Sequence, residues 1–256
     1  DYVVSKDGKR AYTTFQLPDG SRSFIIEINT ETQIPVFVPF TKKYRDLEPM
    51  LSPGNDKLLF ASNRPMFEGD TSNDYNLWYV DLVAGKTGPV SFDTVINTPG
   101  DEFYPSMNDK GDLYFTAVYG ERQYDDIYVS RLTDTGYARP EMLDFCKGED
   151  RYEFNAWVNG ADNLIIFTSY GREGEKGGGD LFYAERTQQG EWAEPVAVEG
   201  AVNSSRLEFC PFLKGDTLFF TSKRIDTSWA DLEIDYLSSV QILADSVATG
   251  VQNVYM

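Results

Sequence analysis

The chain has 256 residues and a formal net charge of −18, from 41 acidic and 23 basic residues. A surface this negative repels phosphate backbones, so nucleic acid is not an expected partner. The sequence contains no histidine, which excludes a Ser-His-Asp triad, a Cys-His dyad and any histidine-ligated metal. It contains no run of 18 apolar residues either, so we expect no transmembrane segment.

A strand–turn–strand unit recurs five times along the chain. The first copy covers residues 1–14 and has an Asp-Gly turn, a pair that tolerates the positive φ of tight hairpins. The later copies begin at residues 48, 102, 153 and 208, so their spacings are 54, 51 and 55 residues. A period of this length, built from short strands, is typical of a β-propeller.

Each repeat has room for four strands, which is one propeller blade. We therefore predict an all-β fold: a single five-bladed β-propeller of four-stranded antiparallel blades, or a six-bladed one if an upstream segment contributes. The predicted blades are residues 1–45, 46–100, 101–150, 151–205 and 206–256. Residues 223–250 interrupt the last repeat, and their pattern fits a helix over 230–247 or further strand.

Three short motifs resemble a known family. They are Phe60-Ala-Ser62-Asn-Arg64, Phe220-Thr-Ser222-Lys-Arg224 and Asp126-Ile-Tyr128. The pattern is similar to the TolB-type, WD40-like propeller repeat of bacterial envelope proteins. The resemblance implies a binding platform that is periplasmic, anchored to the outer membrane as a lipoprotein, or extracellular. The chain starts at Asp1 rather than Met, which agrees with removal of an export signal.

The predicted loops divide the propeller into a plain face and an elaborated one. The turns between first and second strands are short, whereas the loops between second and third strands are long, at residues 63–75, 119–125, 170–179 and 223–250. We name the face that carries these long loops the long-loop face. Long loops on a rigid scaffold concentrate recognition, so Tyr170 and Trp229 are candidate contact residues.

An acidic residue stands at the start of the inner strand in every repeat: Asp1, Glu48, Glu102, Glu153 and Glu208. Carboxylates gathered around one axis repel each other unless they are paired, protonated or bridged by a cation. Either arginines cover them, with Arg64 and Arg224 foremost, or a cation such as calcium does. No other cofactor is expected, and the sequence leaves the metal question open.

Two functions fit this pattern. The favoured one is a monomeric, non-enzymatic binding propeller of the cell envelope, whose partner is a protein or an envelope polymer or glycan. The alternative is a glycan-processing enzyme, similar to five-bladed glycosidases, that uses axial carboxylates. Equivalent positions in every repeat favour a structural role for the acids, because a catalytic acid and base need different surroundings. Cys146 and Cys210 are either free thiols or a disulfide.

Overall fold

The computed structural model describes residues 1–17, 20–41, 43–84, 88–147, 151–224 and 253–255. These residues form five antiparallel sheets in chain order. The inner strand of each sheet contacts the inner strands of its neighbours, and the first and fifth sheets also touch. The sheets therefore surround a common axis.

The strands of each sheet are arranged in chain order from the axis outward. The first sheet contains β1 (Tyr2–Val4), β2 (Arg10–Gln16), β3 (Ser23–Asn29) and β4 (Pro35–Phe37). The second contains β5 (Asp46–Leu51), β6 (Lys57–Ser62), β7 (Asn76–Asp81) and β8 (Val90–Ser91). The third contains β9 (Glu102–Met107), β10 (Leu113–Ala117), β11 (Asp126–Ser130) and β14 (Glu141–Met142), with a small hairpin of β12 (Leu132–Thr133) and β13 (Gly136–Tyr137).

The last two sheets follow the same plan. The fourth contains β15 (Tyr152–Val158), β16 (Leu164–Tyr170), β17 (Asp180–Glu185) and β18 (Val196–Ala197). The fifth contains β19 (Glu208–Lys214), β20 (Thr217–Ser222) and β21 (Asn253–Tyr255). A short 3-10 helix at Asp144–Cys146 follows β14.

The first-to-second-strand turns rely on residues that accept a left-handed backbone. Gly8 has φ of 74°, and its N–H donates to the Ser5 carbonyl at 2.8 Å. Gly111 has φ of 85°, and a Cβ there would lie 2.7 Å from Leu132, so only glycine fits this turn. In the fourth repeat the left-handed residue is Asp162 rather than Gly160.

The hydrophobic core lies between neighbouring sheets. Three buried clusters fill the gaps between the first and second, second and third, and third and fourth sheets. Trp78 is buried in the first of these clusters, and Trp192 packs against the last. Each sheet thus needs its neighbour to cover its apolar face, as the repeat pattern predicts.

The predicted class, an all-β propeller of four-stranded antiparallel blades, is confirmed by the sheet topology. Four sheets have four strands and the fifth has three among the described residues, so the count of five blades stays a prediction. The predicted helix over 230–247 and Trp229 lie outside the described residues. In the described part of the chain, no helix has the length and apolar character needed to span a bilayer. Cys146 and Cys210 are free thiols.

Candidate functional site

The strand register separates two of the five predicted acids, Glu48 and Asp1, from the other three. Glu102 pairs with Ala117, Glu153 with Ser169 and Glu208 with Ser222, each at the start of an inner strand. In the second sheet the residue at that place is Asp46, which pairs with Ser62. Glu48 lies two residues further along, so it is not the equivalent of the other three glutamates.

Arginines neutralise three of the four equivalent acids. Arg64 pairs with Asp46, and its guanidinium lies 5.1 to 5.7 Å from four aromatic rings. Arg172 Nη2 lies 3.0 Å from Glu153 Oε1. Arg224 Nη2 lies 3.2 Å from Glu208 Oε1. In each case the arginine follows the second strand of the same sheet. Each ion pair therefore connects the inner strand of a sheet to the end of its own second strand.

The third sheet lacks this arginine. Tyr119 stands at the corresponding position and donates its hydroxyl to the Ile96 carbonyl at 2.8 Å. Glu102 instead accepts from the Thr98 hydroxyl at 2.6 Å and from the Thr98 N–H. Because Glu102 is buried without a paired cation in the described structure, burial raises its pKa to about 8.

The long loops meet the acids through the backbone. The N–H of Glu102 donates to the Tyr75 carbonyl at 2.8 Å, and the N–H of Glu208 donates to the Gly179 carbonyl at 3.0 Å. The N–H of Glu153 makes the same bond to Asp125 at 3.1 Å. Each long loop therefore ends beside the inner strand of the next sheet, which places the acids and the loops on one face.

A β-bulge in four inner strands directs a different set of side chains at the axis. The first residue of each bulge has φ between 52° and 60°, a conformation that costs a non-glycine residue of order 1 to 3 kcal/mol. These residues are Glu48, Tyr104, Asn155 and Cys210. Asp1 joins them at the corresponding place in the first sheet, where its carboxylate contacts Cys210 Sγ.

These five residues surround a small axial cavity. About 30 Å³ of it is open to water-sized molecules, which is room for on the order of two waters. Its wall contains prolines 49, 105 and 211, which follow three of the bulge residues. Glu102, Glu153 and Glu208 do not line it. The ligand-binding role of those three, and a calcium ion on the axis, stay predictions.

The axial residues are electrostatically unusual. Burial raises the pKa of Glu48 to about 8, although its Oε2 accepts a 2.8 Å hydrogen bond from the N–H of Tyr104. Burial also raises the pKa of the Cys210 thiol to about 12. Asn155 is 3% exposed, and its Oδ1 has no hydrogen-bond partner among the described residues. The axis thus combines a protonated acid with an unused amide oxygen.

Six aromatic rings form a continuous band on the long-loop face beside this cavity. Neighbouring ring centroids are 4.3 to 6.1 Å apart along the series. The aromatic band consists of Phe103, Tyr104, Phe154, Tyr170, Tyr152 and Tyr124. All six are at least partly exposed, and Phe103 also packs against the core between the second and third sheets. The predicted contact residue Tyr170 is a member, stacked on Phe154 at 5.9 Å.

A buried cluster near the long loop at residues 119–125 resembles a metal site in composition. Asp126, Cys146 and Glu153 each place one ligand atom within 4.8 Å of the others. However, Arg122 binds both oxygens of Asp126, and Arg172 pairs with Glu153. Burial also holds the pKa of Cys146 well above its usual value, so the thiol keeps its proton. The donor set favours a charge-paired network over metal binding.

The sequence contained a signal for the axial residues that pattern matching on the acids missed. Proline follows the bulge residue in the second, third and fifth repeats, at positions 49, 105 and 211. Proline within a sheet marks a bulge or an edge because it lacks a donor. Alignment on these prolines pairs Asp46 with Glu102 and identifies the axial residues. Arg172 was hidden because it lies one residue later than Arg64 in its repeat.

Comparisons with known proteins support the fold. No protein-family model and no curated protein matches the chain. A GH43 endo-arabinanase from Bacillus licheniformis is 11% identical, with a TM-score of 0.52, over 99% of this chain and 90% of the enzyme. Hydrazine synthase from Kuenenia stuttgartiensis is 13% identical, with a TM-score of 0.56, over 87% of this chain and 35% of that one.

The chain spans about a third of two peptidase structures that it also matches, namely 31% of a prolyl endopeptidase and 34% of a puromycin-hydrolysing peptidase. At such low identities the similarities show the fold alone. The protein is therefore a β-propeller, a fold that hosts both enzymes and binding modules. The finer resemblance to the TolB-type repeat stays a prediction.

Proposed function

We propose that this chain is a non-enzymatic binding propeller of the bacterial cell envelope that holds a ligand or protein partner on its long-loop face. One observation supports this most: the aromatic band is exposed on that face while the repeated acids are engaged inside their own sheets. Exposed aromatic side chains gathered in one place favour recognition. The envelope location rests on the TolB-like motifs.

The glycan-processing alternative has less support. A glycosidase needs two carboxyl groups at a separation that a sugar can bridge. Asp46, Glu153 and Glu208 are paired with arginines, and the axial cavity is too small for a sugar ring. Glu48 and Asp1 are the carboxyl groups that reach this cavity.

Site-specific photocrosslinking tests the proposed binding face. A photoreactive phenylalanine replaces Tyr152, which is 39% exposed in the aromatic band, in the full-length protein in its native host. The matched control places it at Leu132, which is 46% exposed on the hairpin of the opposite face. We expect a discrete adduct from position 152 and none from position 132.

Adducts of equal yield from both positions, or from neither, would contradict the proposal. Hydrolysis of any member of a polysaccharide panel, lost in Glu48→Gln, would favour the enzyme instead. Fractionation of the native host tests the location: recovery of the protein in the cytosol, with no export signal encoded, overturns an envelope role.

A further inference from the structure

We propose that the aromatic band binds an organic ammonium group, held over its rings by the carboxylates of Asp101 and Asp125. This inference rests on the proposed function, since it names the chemical class of ligand for the same face. The rings and the unpaired acids support it independently of one another.

The rings supply aromatic faces next to the axial cavity. Tyr104 connects the band to the axis, since its ring lies 6.1 Å from Phe154 and its residue lines the cavity. Tyr124 and Tyr152 approach to 4.3 Å at the outer end of the series. A cation within about 6 Å of an aromatic ring face is attracted by the ring quadrupole. Aromatic cages of this kind recognise quaternary ammonium groups.

The protein already places one cation on this surface. Tyr75 continues the band beyond Phe103, with centroids 5.1 Å apart. The guanidinium of Arg45 lies 5.6 Å from the centroid of the Tyr75 ring. An internal cation–π contact at one end of the band indicates that the remaining rings suit the same chemistry.

Carboxylates around the band lack cationic partners. Asp101 and Asp125 form no ion pair within the described ranges of the chain. Asp101 accepts a hydrogen bond from the N–H of Tyr75 at 2.7 Å, which fixes it beside the rings. Asp125 follows Tyr124 in the long loop at residues 119–125. With a net charge of −18, the whole molecule also attracts cations rather than anions.

An unused acceptor points to a ligand on the axial side. Asn155 lines the cavity beside Tyr104 and is 97% buried, yet its Oδ1 accepts no hydrogen bond from any described residue. A buried acceptor without a partner is costly, so a donor that enters the cavity, which has room for on the order of two waters, is stabilised there. A hard metal ion fits less well than an organic cation, because aromatic faces offer it no oxygen ligand.

Calorimetric titration of the full chain with choline tests the inference, with tetramethylammonium as a second probe. The neutral control is 3,3-dimethylbutan-1-ol, which has the shape of choline without its charge. We expect saturable binding of both cations and none of the alcohol at equal concentration. Asp125→Asn should weaken choline binding severalfold and Tyr104→Asn roughly tenfold, in line with the usual strength of a desolvated cation–π contact.

The variants are chosen to fold. Asparagine is the natural residue at the equivalent bulge of the fourth sheet and tolerates the left-handed backbone that Tyr104 adopts. Phe154→Leu is a second test that leaves the bulge residue intact. The controls are Asp134→Asn, on the opposite face, and Phe37→Leu, at the outer edge of the first sheet, and both should bind choline like the wild type.

Three outcomes overturn the inference: no saturable binding of either cation, equal binding of the neutral alcohol, or unchanged choline affinity in both Tyr104→Asn and Phe154→Leu. Each would leave the proposed function standing if the photoreactive residue at position 152 still forms its adduct. Loss of that adduct as well would remove the binding face itself.

Discussion

The backbone N–H of Tyr104 donates a 2.8 Å hydrogen bond to Oε2 of Glu48, and so joins the inner strands of the second and third sheets beside the axis. This contact couples a buried carboxyl group to the bulge of the next sheet. Protonation of Glu48, the shape of the axial cavity and the position of the aromatic band are therefore linked.

The buried carboxyl group of Glu48 predicts a pH-dependent stability. Its pKa rises from 4.5 to about 8 on folding, so the folded state binds its proton more tightly than the unfolded state. The resulting stabilisation is fully present below about pH 4.5 and is lost as pH rises through about 8, for a total of at most about 5 kcal/mol. Melting temperatures between pH 5 and 8.5 should fall less steeply for Glu48→Gln than for the wild type.

The matched control is Glu121→Gln, at an exposed residue of the long loop at 119–125. This variant should keep the wild-type dependence of melting temperature on pH. The comparison isolates one carboxyl group, because other buried acids such as Glu102 titrate in both proteins. Parallel melting curves for the wild type and Glu48→Gln would show that this side chain ionises as freely in the folded protein as in the unfolded one.

The buried pair of Arg172 and Glu153 predicts an asymmetric response to mutation. Both side chains are nearly fully buried, so Arg172→Met leaves an uncompensated carboxylate and should lower the free energy of unfolding by about 3 to 5 kcal/mol. The double variant with Glu153→Gln should recover part of the loss. Lys147→Met, which breaks an exposed pair with Asp144, should cost less than about 1 kcal/mol in the same urea titration.

Threonine hydroxyls on the second strands hold neighbouring sheets together. The N–H of Asn155 donates to Thr116 Oγ1 at 3.2 Å, and the N–H of Glu48 donates to Thr14 Oγ1 at 2.9 Å. Thr116→Val keeps the side-chain volume but leaves a buried N–H unsatisfied, so it should lower the unfolding free energy by about 1 to 3 kcal/mol. Thr133→Val, in the exposed hairpin, should be near neutral, and an equal loss in both would contradict this account.

The glycine-rich long loop at residues 171–179 supports the aromatic band. Gly179 has φ of 92°, and a Cβ there would lie 2.7 Å from both Tyr170 and Leu207. Gly179→Ala should therefore displace the Tyr170 ring and weaken choline binding several times. Gly177→Ala is the control, because Gly177 also has positive φ but nothing within 4 Å of the new Cβ. Equal weakening of choline binding in both variants would mean that backbone strain, not contact with Tyr170, causes the loss. Wild-type binding by Gly179→Ala would show that the new Cβ does not disturb the aromatic band.

The fold was more accessible to sequence reasoning than the site. Turn residues and strand periodicity recur in every repeat, so the blade class followed from local chemistry. The inner strand of the second sheet was misaligned by two residues, because Glu48 matches Glu102 in residue type whereas the equivalent residue is Asp46. The bulge that separates them depends on backbone torsion, which neither acid reveals.

The aromatic band was hidden for a different reason. Its members come from two inner strands, one second strand and a long loop, so no single stretch of sequence shows them together. Phe103 and Phe154 each follow an acid at the same place in their repeats, which assigned them to strand structure rather than to a surface. Only the arrangement of the sheets around the axis brings these rings into contact.

The repeated bulge keeps one backbone conformation while its side chain differs from sheet to sheet. The backbone takes the same left-handed turn at four places, yet the side chains there are a carboxylic acid, a phenol, an amide and a thiol. The N–H groups of two bulge residues, Glu48 and Asn155, donate to the hydroxyls of Thr14 and Thr116 on the neighbouring sheet, whatever side chain the bulge residue carries. Selection can therefore exchange the groups at the mouth one by one, and related propellers can change ligand without refolding.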